Sequence, residues 1–301
     1  MSERLAIAEA GFCARLMRAA CRALVLAFAL LAALASGVAA AQQAAGSSAG
    51  GYELRPEIIV ERALTRGEAQ IEAGIEGQFK VMVSAIIRSI DGEGEIAATE
   101  SARYEVYPLA GAIYEEMVEK DGRPLTEREA RSAREEKEDF IREVEKRKAR
   151  GLTPQPEDER RVRFDRELMS RYRLEIIGEE EVRGDQCWVL YFEPREGELP
   201  ENTRMDKALN RSTGRLWIAK ADYGVPRVEF DLDEPIRYLG GFLATVRETA
   251  GRVEYERVEP GVWLPIEFEL ELDLRVLVKN IRRVISRRWS DYRRVDLGPE
   301  S

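Results

Sequence analysis

Histidine is absent from this chain, and cysteine occurs three times in 301 residues. Without imidazole there is no Ser-His-Asp or Cys-His arrangement and no zinc site built on histidine. Neither a P-loop nor a G-x-G-x-x-G pattern occurs. An enzyme here would have to work with carboxylates, Lys, Tyr or Ser. Its carboxylate clusters, Glu179-Glu180-Glu181 and Asp231/Asp233, read as solvated strand-end charges rather than an acid/base pair. The chain is therefore expected to be non-enzymatic, with no cofactor and no metal.

The cysteines also exclude a disulfide framework. Cys13 and Cys21 lie before the apolar run near the N-terminus, leaving Cys187 alone in the rest of the chain. Cys187 sits within the apolar stretch Gln186 to Phe192, which predicts a buried, inert thiol. Cys21 precedes the apolar run, where a lipid-attachment cysteine would follow one.

Long hydrophobic runs are missing too. The longest is Ala23 to Ala35, preceded by Arg15, Arg18 and Arg22 and followed by the small residues Ala39-Ala40-Ala41. It falls short of the ~20 apolar residues that span a bilayer. The pattern predicts a signal peptide over 1–41, cleaved near Ala41, and an exported protein. Translation could begin at Met1 or at Met17, which opens a more compact basic segment. The full chain has a net charge of −9, with 47 basic and 56 acidic residues; four and two of these fall in 1–41, so the remainder carries 43 and 54, a net −11. An acidic balance of this size argues against a nucleic-acid partner.

What is present is mostly β pattern. Residues 42–51 (QQAAGSSAGG) form a flexible leader. Ile58, Ile59, Ala63 and Leu64 fit a short amphipathic helix over 56–69, with Pro56 in its first turn. Strands follow over 79–90, 96–107 and 113–119. A charged helical insertion spans 126–171: Thr126 and Glu129 form a capping box for a helix to Arg150, and a second helix runs from about Glu157 to Arg171. The insertion reads as an exposed element at one edge, and its helices could dock an envelope protein partner. Strands are then expected over 174–182, 187–194, 215–220, 227–233, 238–248, 252–258, 263–278 and 281–292. In 263–278, Leu264, Ile266, Phe268, Leu270, Leu272, Leu274, Val276 and Val278 alternate with charged residues, so one face is apolar and the other charged. As one strand that run extends roughly 50 Å, and a bend, bulge or turn near Asp273 is expected.

These elements predict a mainly β, α+β fold: a curved antiparallel sheet with helices against its concave face. The segment Gly214-Arg215-Leu216-Trp217-Ile218-Ala219-Lys220-Ala221-Asp222-Tyr223, followed by Pro226-Arg227-Val228, resembles the G-x-L-W-I-D-K-x-D hairpin of the LolA/LolB-like periplasmic lipoprotein-carrier superfamily. Trp263-Leu264-Pro265 and Ser290-Asp291-Tyr292 resemble the same group. The resemblance covers residues 52–295 as a single domain, followed by a tail at 296–301. It implies a half-open β-barrel covered by helices, a periplasmic location, and a cavity for the acyl chains of a lipid or lipoprotein. No functional residue of the family has a match here, and the charged insertion lies outside its basic pattern.

The function so implied is a soluble periplasmic lipid- or lipoprotein-binding carrier; the alternative is an envelope interaction or sensor module with the same fold and no transported ligand. Candidate ligand-binding residues on the apolar face are Ile266, Phe268, Leu270 and Leu272. Arg282, Arg283, Arg287 and Arg288 form a candidate patch for an anion or lipid headgroup. Cross-strand pairing of the basic residues of 279–294 with Glu267, Glu269, Glu271 and Asp273 is the competing expectation.

Overall fold

Three of the turns are two-residue loops ending in glycine, Ala110-Gly111, Asp121-Gly122 and Arg183-Gly184, and both residues of each have positive φ. That backbone matches the right-handed twist of a hairpin, and glycine adopts it without strain. The chain therefore reverses tightly at these points and a meander results. The computed structural model describes residues 55–155, 165–201, 204–238 and 244–295. The expected signal peptide 1–41, the leader 42–51, most of the second insertion helix (156–164) and the tail 296–301 lie outside the described residues.

The elements in order are α1 (Pro56–Glu72), β1 (Phe79–Ile90), β2 (Ile96–Leu109), β3 (Ala112–Lys120), β4 (Arg123–Pro124), α2 (Glu127–Ala149), α3 (Arg166–Ser170), β5 (Tyr172–Val182), β6 (Asp185–Pro194), α4 (Arg204–Leu209), β7 (Ser212–Ala219), β8 (Arg227–Leu232), β9 (Ile236–Tyr238), β10 (Ala244–Glu259), β11 (Val262–Val276) and β12 (Lys279–Arg294). The strands form one sheet in the order β4-β3-β2-β1-β12-β11-β10-β8-β7-β6-β5, with β9 also on β10. Its neighbours pair antiparallel, and its two end strands do not meet, so the curved sheet is open.

One expectation is corrected here and another is made specific. The strands expected over 238–248 and 252–258 are one strand, β10, from Ala244 onward, because the Ala250-Gly251 pair continues the ladder against β8 and β11. The irregularity expected near Asp273 is present as a bulge, while β11 itself does not turn there. The irregularity falls in the neighbouring strand, where Arg247 of β10 bulges opposite Leu274 and Asp273; a bulge there increases the local twist without breaking β11.

Directly opposed residues of an antiparallel pair point to the same face, so the register sorts the sheet. The inner face carries Val83 and Ile87 of β1, Tyr104 and Val106 of β2, Val253 of β10, Phe268 and Leu270 of β11, and Ile285 and Trp289 of β12. These residues join Leu190, Leu216, Ile218, Val228 and Phe230 in the main hydrophobic cluster, with Tyr104, Val106 and Ile87 packed at its margin. Helix α1 closes this core over β5 and β7, burying Ile59, Val60, Ala63 and Leu64.

Helix α2 packs against β3 near the sheet edge, as expected of an exposed insertion, but on the face opposite the core rather than on the concave side. Its Lys137 Nζ is 3.0 Å from Glu116 and its Phe140 ring packs 4.9 Å from Tyr114. Glu116 and Tyr114 alternate with the inward residues Glu115 and Met117, which pair with Val106 and Tyr104. The capping box of Thr126 and Glu129 forms as expected, and Gly151 follows the helix with φ of 69°. Val144 is its one fully buried residue.

Candidate functional site

The hairpin motif at 214–223 builds structure rather than chemistry. Gly214 is needed for close approach: a β-carbon there would stand 2.1 Å from the Glu229 carbonyl oxygen and 2.6 Å from Phe192 Cζ. Leu216 and Ile218 enter the core, while Trp217 points outward and is still only 1% exposed. It is covered by the guanidinium groups of Arg215 and Arg227, 5.2 and 5.3 Å from its ring centre, and its indole donates to Glu180 at 2.8 Å. Beside it Glu254 sits under Arg183, Arg227 and Arg252. Burial disfavours that carboxylate, and the three arginines outweigh burial and hold it below the usual range.

Asp222 is the fastening point of α1. It accepts hydrogen bonds from the Trp263 indole and the Gly224 amide, both at 3.0 Å, and faces Arg257 at 3.3 Å and Arg66 of α1 at 3.7 Å. Arg66 also donates to the Gly261 carbonyl, and Gln70 to that of Trp263. Burial works against ionisation of Asp222, but these donors prevail and its pKa lies below the ordinary value. A surface groove of about 510 Å³ beside it is lined by Ala221, Asp222, Arg257, Val258, Glu259, Pro260 and Gly261. Its acidic and basic groups are already bonded to each other or to neighbours.

Of the carboxylate clusters, Asp231 and Asp233 are exposed to solvent, whereas the glutamates are engaged. Glu179 pairs with Lys220 at 2.5 Å, and Glu181 accepts from Gln186. Cys187 is fully buried, and burial pushes its thiol up to about 11. Among the described residues no group of acids and cysteines is arranged to hold a metal ion.

The apolar face is different. Along the inner side of β11, Phe268 is 0% and Leu270 1% exposed, Leu272 and Leu274 are half-buried, and Val276 is 37% exposed. Their inner-face neighbours change in the same way: Val253 and Ile285 are sealed, whereas Val246, Ile281 and Ile87 are half-buried. The face ends at a hairpin tip where Leu277 and Val278 are exposed. One continuous apolar surface thus runs from a filled core under α1 to an open shelf. Of the four residues expected to bind ligand, Phe268 and Leu270 belong to the filled core, Leu272 sits at the boundary, and Ile266 is half-buried beside the irregularity at Tyr255. Leu274, Ile281, Ile87 and Val246 line the shelf and were not among them.

The four arginines of the expected anion patch do not share a face. Arg282 and Arg288 point outward, 3.9 Å from Asp273 and 2.9 Å from Glu267. Arg283 and Arg287 stand opposite Leu272 and Phe268, on the inner face. Arg287 is 5% exposed, bonded to Glu115 and stacked against the rings of Trp289 and Tyr104. The alternation Ile281, Arg283, Ile285, Arg287, Trp289 was the available signal for this inward pair.

No family model matches the chain, and no curated protein matches it. Similar solved structures include a LolA superfamily protein from Nitrosomonas europaea, 14% identical over 80% of this chain and 94% of that one, with a TM-score of 0.31. A putative outer membrane lipoprotein-sorting protein domain from Vibrio parahaemolyticus is 13% identical over 81% of this chain and 95% of its own, with a TM-score of 0.33. A DUF1329 family protein from Desulfovibrio piger is 13% identical over 80% of this chain and 93% of its own, with a TM-score of 0.28.

Proposed function

We propose that the protein is a non-enzymatic holder or carrier of acyl chains, from a lipid or a lipoprotein, in the periplasm. The observation that carries this reading is the gradient along one face of β11, from 0% exposure at Phe268 to 37% at Val276. A strand that only closed a core would bury this side throughout or turn polar where the core ends. Here Leu272 and Ile87 at the margin of the core, and Leu274 and Ile281 beyond them, continue the apolar surface half-buried. An extended alkyl chain laid on that shelf gains about 0.8 kcal/mol per methylene removed from water, enough for a dozen methylenes to bind firmly. The signal-like segment at 1–41 supports the periplasmic location. Purification of the exported protein from its own periplasm, followed by native mass spectrometry and lipid extraction, tests the reading: an acyl species should co-purify and be lost from the Leu274→Asp variant. Recovery of a folded protein that never carries an acyl species, and that takes none up when it is offered, would sink it.

The second reading, an envelope interaction or sensor module, has one observation in its favour. Helix α2 stands on the face opposite the apolar shelf, with Val144 as its one fully buried residue, and so presents a long charged surface. The same purification separates the two, because a sensor yields a stoichiometric protein partner and no lipid.

A further inference from the structure

Arg283 is a cation without an anion. Its three companions in the sequence are paired, Arg282 with Asp273, Arg288 with Glu267 and Arg287 with Glu115. The Arg283 side chain makes no ion pair or hydrogen bond among the described residues, and its buried Nε has no partner. It stands opposite Leu272 on one side and Ser89 on the other, with Ile281 and Ile285 flanking it along β12. The acidic residue Glu100 lies on the same face two strands away, exposed, and pairs with no cation among the described residues. A guanidinium held against an apolar surface loses hydration, and proteins ordinarily compensate by pairing it. Outward-facing positions one residue to either side would have offered Arg283 water and the carboxylates of β11.

We infer that Arg283 receives the anionic headgroup of an amphiphile whose alkyl chain lies on the shelf of Leu272, Leu274, Ile281 and Ile87. The inference rests on the acyl-binding reading above and adds to it the charge and placement of the head. A guanidinium presents a planar fork of donors that fits a carboxylate or a phosphate equally, so the shared chemistry is an oxyanion joined directly to a long alkyl group. Arg287 lies further into the core on the same face, and Glu115 already neutralises it; Lys279, opposite Val276 on that face, is exposed at the hairpin tip, so Arg283 is the unpaired cation set among the half-buried apolar residues of the shelf. The Ser89 side chain, across the strand pair, is placed to add a hydroxyl donor.

The test compares dodecanoate, dodecyl phosphate and 1-dodecanol, each below its micellar concentration, by equilibrium binding to the wild-type protein, Arg283→Gln and Arg283→Lys. Charge-assisted hydrogen bonds of about 1.5–3 kcal/mol make the anions about ten- to a hundredfold tighter than the alcohol for the wild type. Arg283→Gln removes that preference and leaves the affinity for dodecanol in place, while Arg283→Lys keeps most of it. Tighter binding of dodecanoate identifies a fatty-acid carboxylate as the source, and tighter binding of dodecyl phosphate a phospholipid-type head. Equal affinity of the wild type for all three would overturn the headgroup site and leave the acyl reading standing, even if the variants fail to fold. Binding of none of the three would remove the acyl reading, and this inference with it.

Discussion

The Phe230 ring occupies the space beside Gly251 that a side chain would fill: a β-carbon at position 251 would lie 2.0 Å from Phe230 Cζ and 2.5 Å from Cε1. The two residues face each other across β8 and β10 on the inner side of the sheet. Gly251→Ala must therefore displace the ring and the packing behind it, a loss of about 1–3 kcal/mol typical of overfilled cores. Chemical denaturation should show a lower midpoint with an unchanged slope, and Phe230→Leu in the same chain should restore part of the loss. A Gly251→Ala protein as stable as the parent would mean that the ring has room to move.

That contact also explains one limit of the sequence. A glycine in the middle of β pattern signals either a turn or a close approach of another group, and only the ring across the strand pair decides which. Elements whose signals are local were legible: the capping box of α2, the Arg183-Gly184 turn, and the sixteen-residue pattern that became β11 and its tip. Placement was less so. Thr126 and Glu129 specify where α2 starts but not which face of the sheet it covers, since Phe140 and Val144 suit either. At the site, period-two alternation identified the apolar side of β11. It could not show that Phe268 is sealed while Leu274 is only half-buried, because that depends on residues brought together from distant parts of the chain. Arg283 and Arg287 were grouped with Arg282 and Arg288 by proximity in sequence, although their own alternation with Ile281, Ile285 and Trp289 sets them on the opposite face.

Asp222 links α1 to the turn before β8, and its ionisation should be visible in the pH dependence of folding. Its pKa is lower in the folded protein than in the unfolded chain, so the carboxylate contributes stability above the ordinary Asp pKa of about 3.9 and loses it as the pH falls through the folded value. Asp222→Asn should cost about 1–3 kcal/mol at neutral pH, the range for hydrogen bonds to a charged group. The difference from wild type should shrink steadily below about pH 4. Stability curves that stay parallel down to acid pH would show that the charge at 222 is unimportant to the fold.

Helix α2 should be separable from the sheet. Its contacts with β3 include the Phe140 and Tyr114 rings, the Lys137–Glu116 and Glu129–Lys120 pairs, and its one buried residue is Val144. The 23 residues of 127–149 span about 35 Å as a helix, so a flexible Gly/Ser segment of about 20 residues can replace them without straining the ends. The exchange should lower stability by no more than about 1–2 kcal/mol and leave alkyl binding intact, because the helix and the shelf lie on opposite faces. Loss of cooperative unfolding would make α2 part of the core.

The sharpest contrast is between Phe268 and Leu274, six residues apart on one side of one strand. Phe268 is 0% exposed within the main cluster. Truncation to alanine removes a whole ring from a filled space and should cost about 3–5 kcal/mol. Leu274 is half-buried and outside that cluster. Truncation there opens no closed cavity, and the change should stay within about 1 kcal/mol. Binding should rank the other way. Leu274→Ala removes surface on which an alkyl chain would lie and should weaken dodecanoate binding several-fold, whereas Phe268→Ala, measured where it remains folded, should bind nearly as the parent does. The two readouts together separate shelf from core: equal stability losses at both positions, with no effect on binding at either, would show that Leu274 is core and that the acyl chain, if one is held, lies elsewhere.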